Sequence, residues 1–159
     1  MIIEYEDIYE EDVKNLLVEL QEHIKNLDQE GYNILTKDYR NLYFQKMMED
    51  VRKWEGKILL YKEQDKILGL VAGVINNEEI NTYDFKAPKR GRITELVVSK
   101  DSRSNGIGSS LLQAMEWYLD SVGCKDVLLG VFGYNSSAIS FYKRNHYHVR
   151  MVEMIKNIS

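Results

Sequence analysis

A carboxylate and a glycine-bearing turn lie close together near the middle of this 159-residue chain. Glu95 interrupts the apolar run Ile93-Thr94-Glu95-Leu96-Val97-Val98. By the two-residue period of a strand it shares a face with Ile93 and Val97. A carboxylate there is costly unless it is paired or opens onto a cleft. Partial burial raises its pKa and makes it a better base near neutral pH. Eight residues later, Arg103-Ser104-Asn105-Gly106-Ile107-Gly108 closes a strand and opens a helix. Such a turn leaves several backbone N–H groups without helical acceptors. Its glycines let a ligand approach the backbone, and the helix dipole adds positive potential. Together these make a cradle for a pyrophosphate, with Arg103 able to add charge-assisted hydrogen bonds. Taken alone, R-x-x-G-x-G also fits a connection whose glycines merely allow tight packing. It is neither a P-loop nor the G-x-G-x-x-G dinucleotide fingerprint.

These residues need a scaffold, and the periodicity outlines one. Val13, Leu16, Leu17, Leu20, Ile24 and Leu27 fall at helical spacing among charges, an amphipathic helix that Asp7 and Glu10 would open as a capping box. A second helix spans 38–53, with Tyr39, Leu42, Tyr43, Met47, Val51 and Trp54 as its apolar face. Arg52 and Lys53 suit its last turn, and Gly56 its stop. Strands follow at 57–62 and 67–75, joined at Gln64-Asp65 as an antiparallel hairpin. A polar connection, 76–90, leads to a strand at 92–98, a helix at 106–122, a strand at 125–132, a short helix at 135–145 and a last strand at 147–155. The order αα-ββ-βα-βα-β predicts a mixed α/β sheet with helices on both faces.

Composition bounds the rest. Charged residues are 29% of the chain and hydrophobic ones 44%, an ordinary globular balance. The length suits a single domain over residues 1–159. A net charge of −4 argues against a general nucleic-acid binder. The longest apolar run, Leu68 to Ile75, is far short of the about 18 residues a membrane helix needs. No signal peptide is read at the N-terminus. The lone Cys124 forms no internal disulfide or multi-cysteine metal site, and fits a reducing, cytoplasmic setting. His23 is expected on a solvated helix face, and His146 and His148 have no third metal ligand in view.

The strand Ile93 to Val98, the Arg103–Gly108 turn, the Leu111-Leu112 helix and the strand Val127 to Val131 resemble motif A of the GNAT acetyltransferase superfamily. Asn135-Ser136-Ser137-Ala138-Ile139-Ser140-Phe141-Tyr142-Lys143 resembles its motif B. The resemblance covers roughly residues 57 to 150. It implies a mostly antiparallel mixed sheet, splayed between the fourth and fifth strands, with acetyl-CoA inserted there and no metal. The pantetheine arm would bond backbone groups of Leu96, Val97 and Val98. The pyrophosphate would rest on amides of Ser104, Asn105, Gly106, Ile107, Gly108 and Ser109, beside Arg103, with Asn135, Ser137 and Tyr142 completing the cosubstrate site. The implied function is acetyl transfer from acetyl-CoA directly to a primary amine of a small molecule or protein. Tyr142 would be the acid that protonates the departing thiolate, and Glu95 the base. A non-catalytic acyl-CoA-binding module would keep the turn without needing Glu95 or Tyr142. Acceptor contacts are expected from 28–37, 76–90 and the C-terminal end, with Tyr32, Tyr83 and Phe85 lining a pocket or covering core. Relatives are often dimers, so a homodimer is compatible. One departure stands out: His146-Tyr147 replaces the family's Gly-Phe, and that glycine is a left-handed helix terminator. His is tolerated there less easily.

Overall fold

The computed structural model describes residues 1–76 and 83–159. A short strand β1 (Ile2–Glu4) leads through a 3-10 turn into helices α1 (Glu10–Leu27) and α2 (Tyr39–Lys53). Strands β2 (Lys57–Glu63), β3 (Lys66–Asn76) and β4 (Arg90–Val98) follow. Helix α3 (Ile107–Ser121), strand β5 (Asp126–Leu128) and helix α4 (Ser136–Arg144) complete the regular elements. The sheet order is β1-β2-β3-β4-β5, antiparallel throughout except for the parallel pair β4–β5.

Two apolar layers form because β3 is buried along most of its length. Leu70 and Ala72 face α1 and α2, where they meet Val13, Leu17, Phe44 and Met47. Val71 and Ile75 face α3, against Leu111, Leu112 and Met115. Each fully buried leucine contributes about 1.5–3 kcal/mol relative to exposure. In α2 the inward residues are Phe44 and Met47, whereas Leu42 is exposed.

Some expected details differ. Asp7 falls in the 3-10 turn and α1 starts after Tyr9 without a side-chain cap, so no capping box forms. The chain turns out of α2 at Glu55, whose φ is 46°. Gly56 is needed for closeness instead, since a Cβ there would lie 2.5 Å from the Gly73 carbonyl. Only three residues of the strand expected at 125–132 pair with a neighbour. The strand expected at 147–155 is absent: residues 148–159 run without regular structure. Part of the connection at 76–90 lies outside the described residues. Among the described residues no helix is long and apolar enough to cross a membrane.

The β4–β5 contact positions the site. It pairs Arg90, Gly91 and Arg92 with Asp126, Val127 and Leu128, then stops. Beyond Arg92 the two strands part, and the C-terminal half of β4 has a strand partner, β3, on one side only. That opening is the splay expected between strands four and five.

Candidate active site

The turn after β4 has the form its glycines require. Gly106 has φ 77° and serves as the N-terminal boundary residue of α3. Nothing lies within 4 Å of a Cβ placed there, so backbone conformation, and not crowding, selects glycine. Gly108 is selected by contact: a Cβ would stand 3.2 Å from Phe141 Cζ. Among the described residues, the backbone amides of Arg103 through Ser109 have no acceptor within the chain. Inward bonding resumes at Ser110, whose N–H and hydroxyl both donate to the Gly106 carbonyl. Seven consecutive unpaired donors at a helix N-terminus suit a pyrophosphate.

Arg103 does more than face that cradle. Its Nε donates to the Val98 carbonyl at 3.1 Å, and its guanidinium lies 3.7 Å from Glu19 on α1. Glu19 also accepts from the Lys100 amide. His23, expected to be solvated, is half-buried near this arginine. Burial lowers its pKa, and the Arg103 charge lowers it further. Helix α1 thus braces the turn through Glu19, a contact that no local pattern in the sequence signals.

Glu95 is 9% exposed, and a β-bulge decides which way it faces. Ala72 pairs with Glu95, but the next residue, Gly73, pairs with Ile93. Thr94 is the extra residue, so alternation breaks there. Ile93 consequently packs toward α3, while Glu95 and Val97 face α1 and α2. The expected common face of Ile93, Glu95 and Val97 is thus corrected: the bulge separates the first from the other two. On its new side Glu95 meets Tyr43, whose hydroxyl donates to Oε1 at 2.8 Å. Burial pushes the Glu95 carboxyl up to about 7, against opposing effects from the Tyr43 hydrogen bond and the Lys46 charge. Tyr43 itself stacks on Tyr39, with centroids 4.9 Å apart. Burial and the Glu95 charge raise both phenols. By helical spacing Tyr43 belongs to the apolar face of α2, which does not single out its hydroxyl. The usable signal was a phenol on α2, since a buried carboxylate needs a donor.

Tyr142 comes from α4. Asn135 caps that helix by accepting from the Ala138 amide at 3.2 Å, and it also receives the Ser137 hydroxyl at 3.2 Å. The polar residues of motif B thus set the start of the helix that carries Tyr142. Its ring packs edge-on between Phe141 and Tyr147. Burial pushes its phenol up to about 12, and the Glu95 carboxylate adds a smaller push. The Glu95 charge thus acts on the Tyr142 hydroxyl. Beyond α4, His146 adopts φ 68°, the left-handed conformation that glycine would favour.

The α1–α2 connection is held by Asp28. Its carboxylate accepts from the Asn33 amide at 2.6 Å and from the Asn33 side chain at 2.8 Å. These bonds, the backbone one first, hold its carboxyl far below the usual carboxylate range. The Asn33 side chain also donates to the Tyr134 hydroxyl at 3.4 Å, linking this connection to the loop after β5. Tyr32 and Tyr83 are exposed and cover no core. The guanidiniums of Arg90 and Arg150 lie over the Phe85 ring, 5.4 Å and 5.8 Å from its centroid.

Known proteins share this fold. A mutant of the BH1408 protein from Bacillus halodurans superposes with a TM-score of 0.86 at 19% identity, covering 100% of this chain and 99% of that one. The aminoglycoside antibiotic 6'-N-acetyltransferase AAC(6')-IG from Acinetobacter haemolyticus superposes at 0.72 with 14% identity, covering 100% and 99%. N-alpha-acetyltransferase 60 of Xenopus tropicalis is 41% identical over 59 residues, or 35% of this chain and 24% of that protein. The chain thus spans about a quarter of the length of this curated relative. The profile of the acetyltransferase (GNAT) family matches residues 28–147. With that match over most of its length, and with the splayed sheet and the turn before α3, the chain belongs to the GNAT acetyltransferase family.

Proposed function

We propose that residues 1–159 act as one acetyl-CoA-dependent N-acetyltransferase domain that moves an acetyl group directly to a primary amine. The observation that carries this reading is the pairing of Glu95 and Tyr142. One is a buried carboxylate raised to about 7, the other a phenol raised to about 12, and the charge of the first acts on the second.

The residues fit acetyl-CoA. Unpaired amides at 103–109 suit its pyrophosphate, and the open edge of β4 at Leu96, Val97 and Val98 suits its pantetheine amides. Acetyl-CoA supplies the activated acetyl group as a thioester. An amine arrives largely as ammonium, with no lone pair to attack. Glu95, ionised above about pH 7, takes that proton directly or through water. As the C–N bond forms and the C–S bond breaks, Tyr142 gives its proton to the leaving sulfur, and its phenolate recovers one from the acylated nitrogen, directly or through water. Its high pKa keeps the phenol protonated at neutral pH. Asn135 and Ser137 serve by fixing α4, and Arg103 by fixing the turn to β4 and α1. The net charge of −4 and the absence of any partner cysteine for Cys124 support a cytoplasmic enzyme that does not bind nucleic acid.

Thiol release from acetyl-CoA across a panel of primary amines tests this directly. Glu95→Gln and Tyr142→Phe should each lose turnover while retaining acetyl-CoA affinity by calorimetry. Tight acetyl-CoA binding with no thiol release for any amine would instead make the chain an acyl-CoA-binding module.

A further inference from the structure

An orphaned charge sits at the start of β4. Arg90 is 7% exposed, and its Nε donates to Asp126 Oδ2 at 3.3 Å. Its Nη1 is buried with no hydrogen-bond partner. A buried guanidinium left partly unpaired is costly, and buried donors in proteins as a rule meet an acceptor. Two positions on, Arg92 is half-buried, and among the described residues it has neither an ion pair nor a side-chain hydrogen bond.

Alternation fixes the side of the sheet that these two take. A Cβ on Gly91 would lie 2.5 Å from Leu119 of α3, and Ile93 packs in the same layer. Arg90 and Arg92 therefore face the other way. Past the bulge at Thr94, that is also the side of Glu95. Thr94 is exposed, so the strip between Arg92 and Glu95 is open. Along the strand the two stand about 10 Å apart, at about 3.3 Å per residue. At the other end of the strip, Arg90 and Arg150 both lie over the Phe85 ring. Positive charge thus gathers on this face of a chain whose net charge is −4.

We infer that the acceptor is a primary amine carrying an oxyanion, a carboxylate or a phosphate, which Arg92 and Arg90 hold while the amine reaches Glu95. This rests on the acetyl-transfer reading above and adds the acceptor's chemical class to it. A guanidinium suits such an anion, because its planar fork matches either oxyanion with paired N–H donors. The oxyanion supplies Arg90 Nη1 with the acceptor it lacks. A neutral amine leaves that donor buried and unpaired, so the two arginines determine specificity.

Thiol release from acetyl-CoA with ε-aminocaproate, aminohexyl phosphate and hexylamine tests the inference, with KM and kcat for the acceptor read separately. At least one anionic amine should exceed hexylamine by about 10–100-fold in kcat/KM, chiefly through KM. The ratio of the two anionic amines tells carboxylate from phosphate. Arg92→Gln should abolish the advantage, and Arg92→Lys should restore part of it, as a point charge without the fork. Arg90→Met should act as Arg92→Gln does, with circular dichroism checking its fold. The half-buried Arg92 decides the matter even if that variant does not fold. Equal use of hexylamine by the parent, or an advantage that survives Arg92→Gln, overturns the inference and leaves acetyl transfer standing. Thiol release with other amines but with neither anionic one does the same. No thiol release with any amine overturns the acetyl-transfer reading and this inference with it.

Discussion

Replacing Glu95 by glutamine should make the protein more stable while disabling it. In the folded chain burial holds the Glu95 carboxyl near 7, against an ordinary value of 4.5. A raised carboxyl is favoured neutral in the folded state, so the folded form binds the proton more tightly than the unfolded one. Ionisation therefore costs nothing below about pH 4.5. The cost grows as pH rises toward 7 and is constant above that. Its full size is about 3 kcal/mol, from 1.36 kcal/mol for each tenfold difference in proton affinity. Glutamine keeps the shape and can still accept the Tyr43 hydroxyl, without a charge to desolvate. At pH 8 Glu95→Gln should then exceed the parent by up to about 3 kcal/mol, or a Tm rise of roughly 6–12 °C for a chain of this length. Near pH 4.5 the difference should vanish. Urea unfolding of both proteins across this range, paired with initial rates, reads both quantities. A stability difference that does not change with pH, or a glutamine variant less stable at pH 8, would refute the claim that a desolvated charge sits at this position.

Three more outcomes follow from the same geometry. Tyr142→Phe should lower kcat about 100-fold, the lower end for general acid catalysis, with the KM for acetyl-CoA unchanged. An unchanged kcat in steady-state assays would make the ring mere packing. Tyr43→Phe removes a bond that favours the ionised Glu95, so the rising limb of the pH–rate profile should move above 7 while the plateau rate holds. A limb that stays in place would separate Tyr43 from the base. Gly108→Val pushes on Phe141, the neighbour of Tyr142, so kcat should fall by about 10²-fold along with weaker acetyl-CoA binding. Calorimetry and rates showing a binding defect alone would uncouple the cradle from the acid.

Local patterns were legible in the sequence. The turn at 103–108 is a run of neighbouring residues whose glycines declare their backbone, and α1, α2, α3 and α4 begin and end within a few residues of their expected bounds. Glu95 could be picked out because a carboxylate in an apolar strand is anomalous. The left-handed residue at His146 was also foreseeable from the glycine expected there. Tertiary features were not legible. Tyr43 and Glu95 are 52 residues apart, and their bond exists only once α2 lies on the sheet. The bulge at Thr94 leaves no periodic trace, because Ile93 and Val97 are apolar whichever face they take. Strand β1 is too short to show a period. The tail fits a strand pattern, yet residues 148–159 run without regular structure, because pattern alone does not supply a strand partner.

The bulge at Thr94 also bears on how the sheet finds its correct alignment while folding. A β3–β4 pairing formed without the bulge would shift β4 by one residue on one side of Thr94. That slip would aim Glu95 at Leu111 and Met115, a layer of apolar side chains. There the carboxylate would lose the Tyr43 hydroxyl and gain nothing in exchange. Leaving a buried polar group unsatisfied costs about 1–3 kcal/mol, and a charged one more. The slipped sheet is thus disfavoured by the residue assigned here to proton transfer. Glu95 acts in this sense as a registration mark. Any change that makes position 95 apolar removes the penalty on the misaligned sheet, even where it strengthens the aligned one.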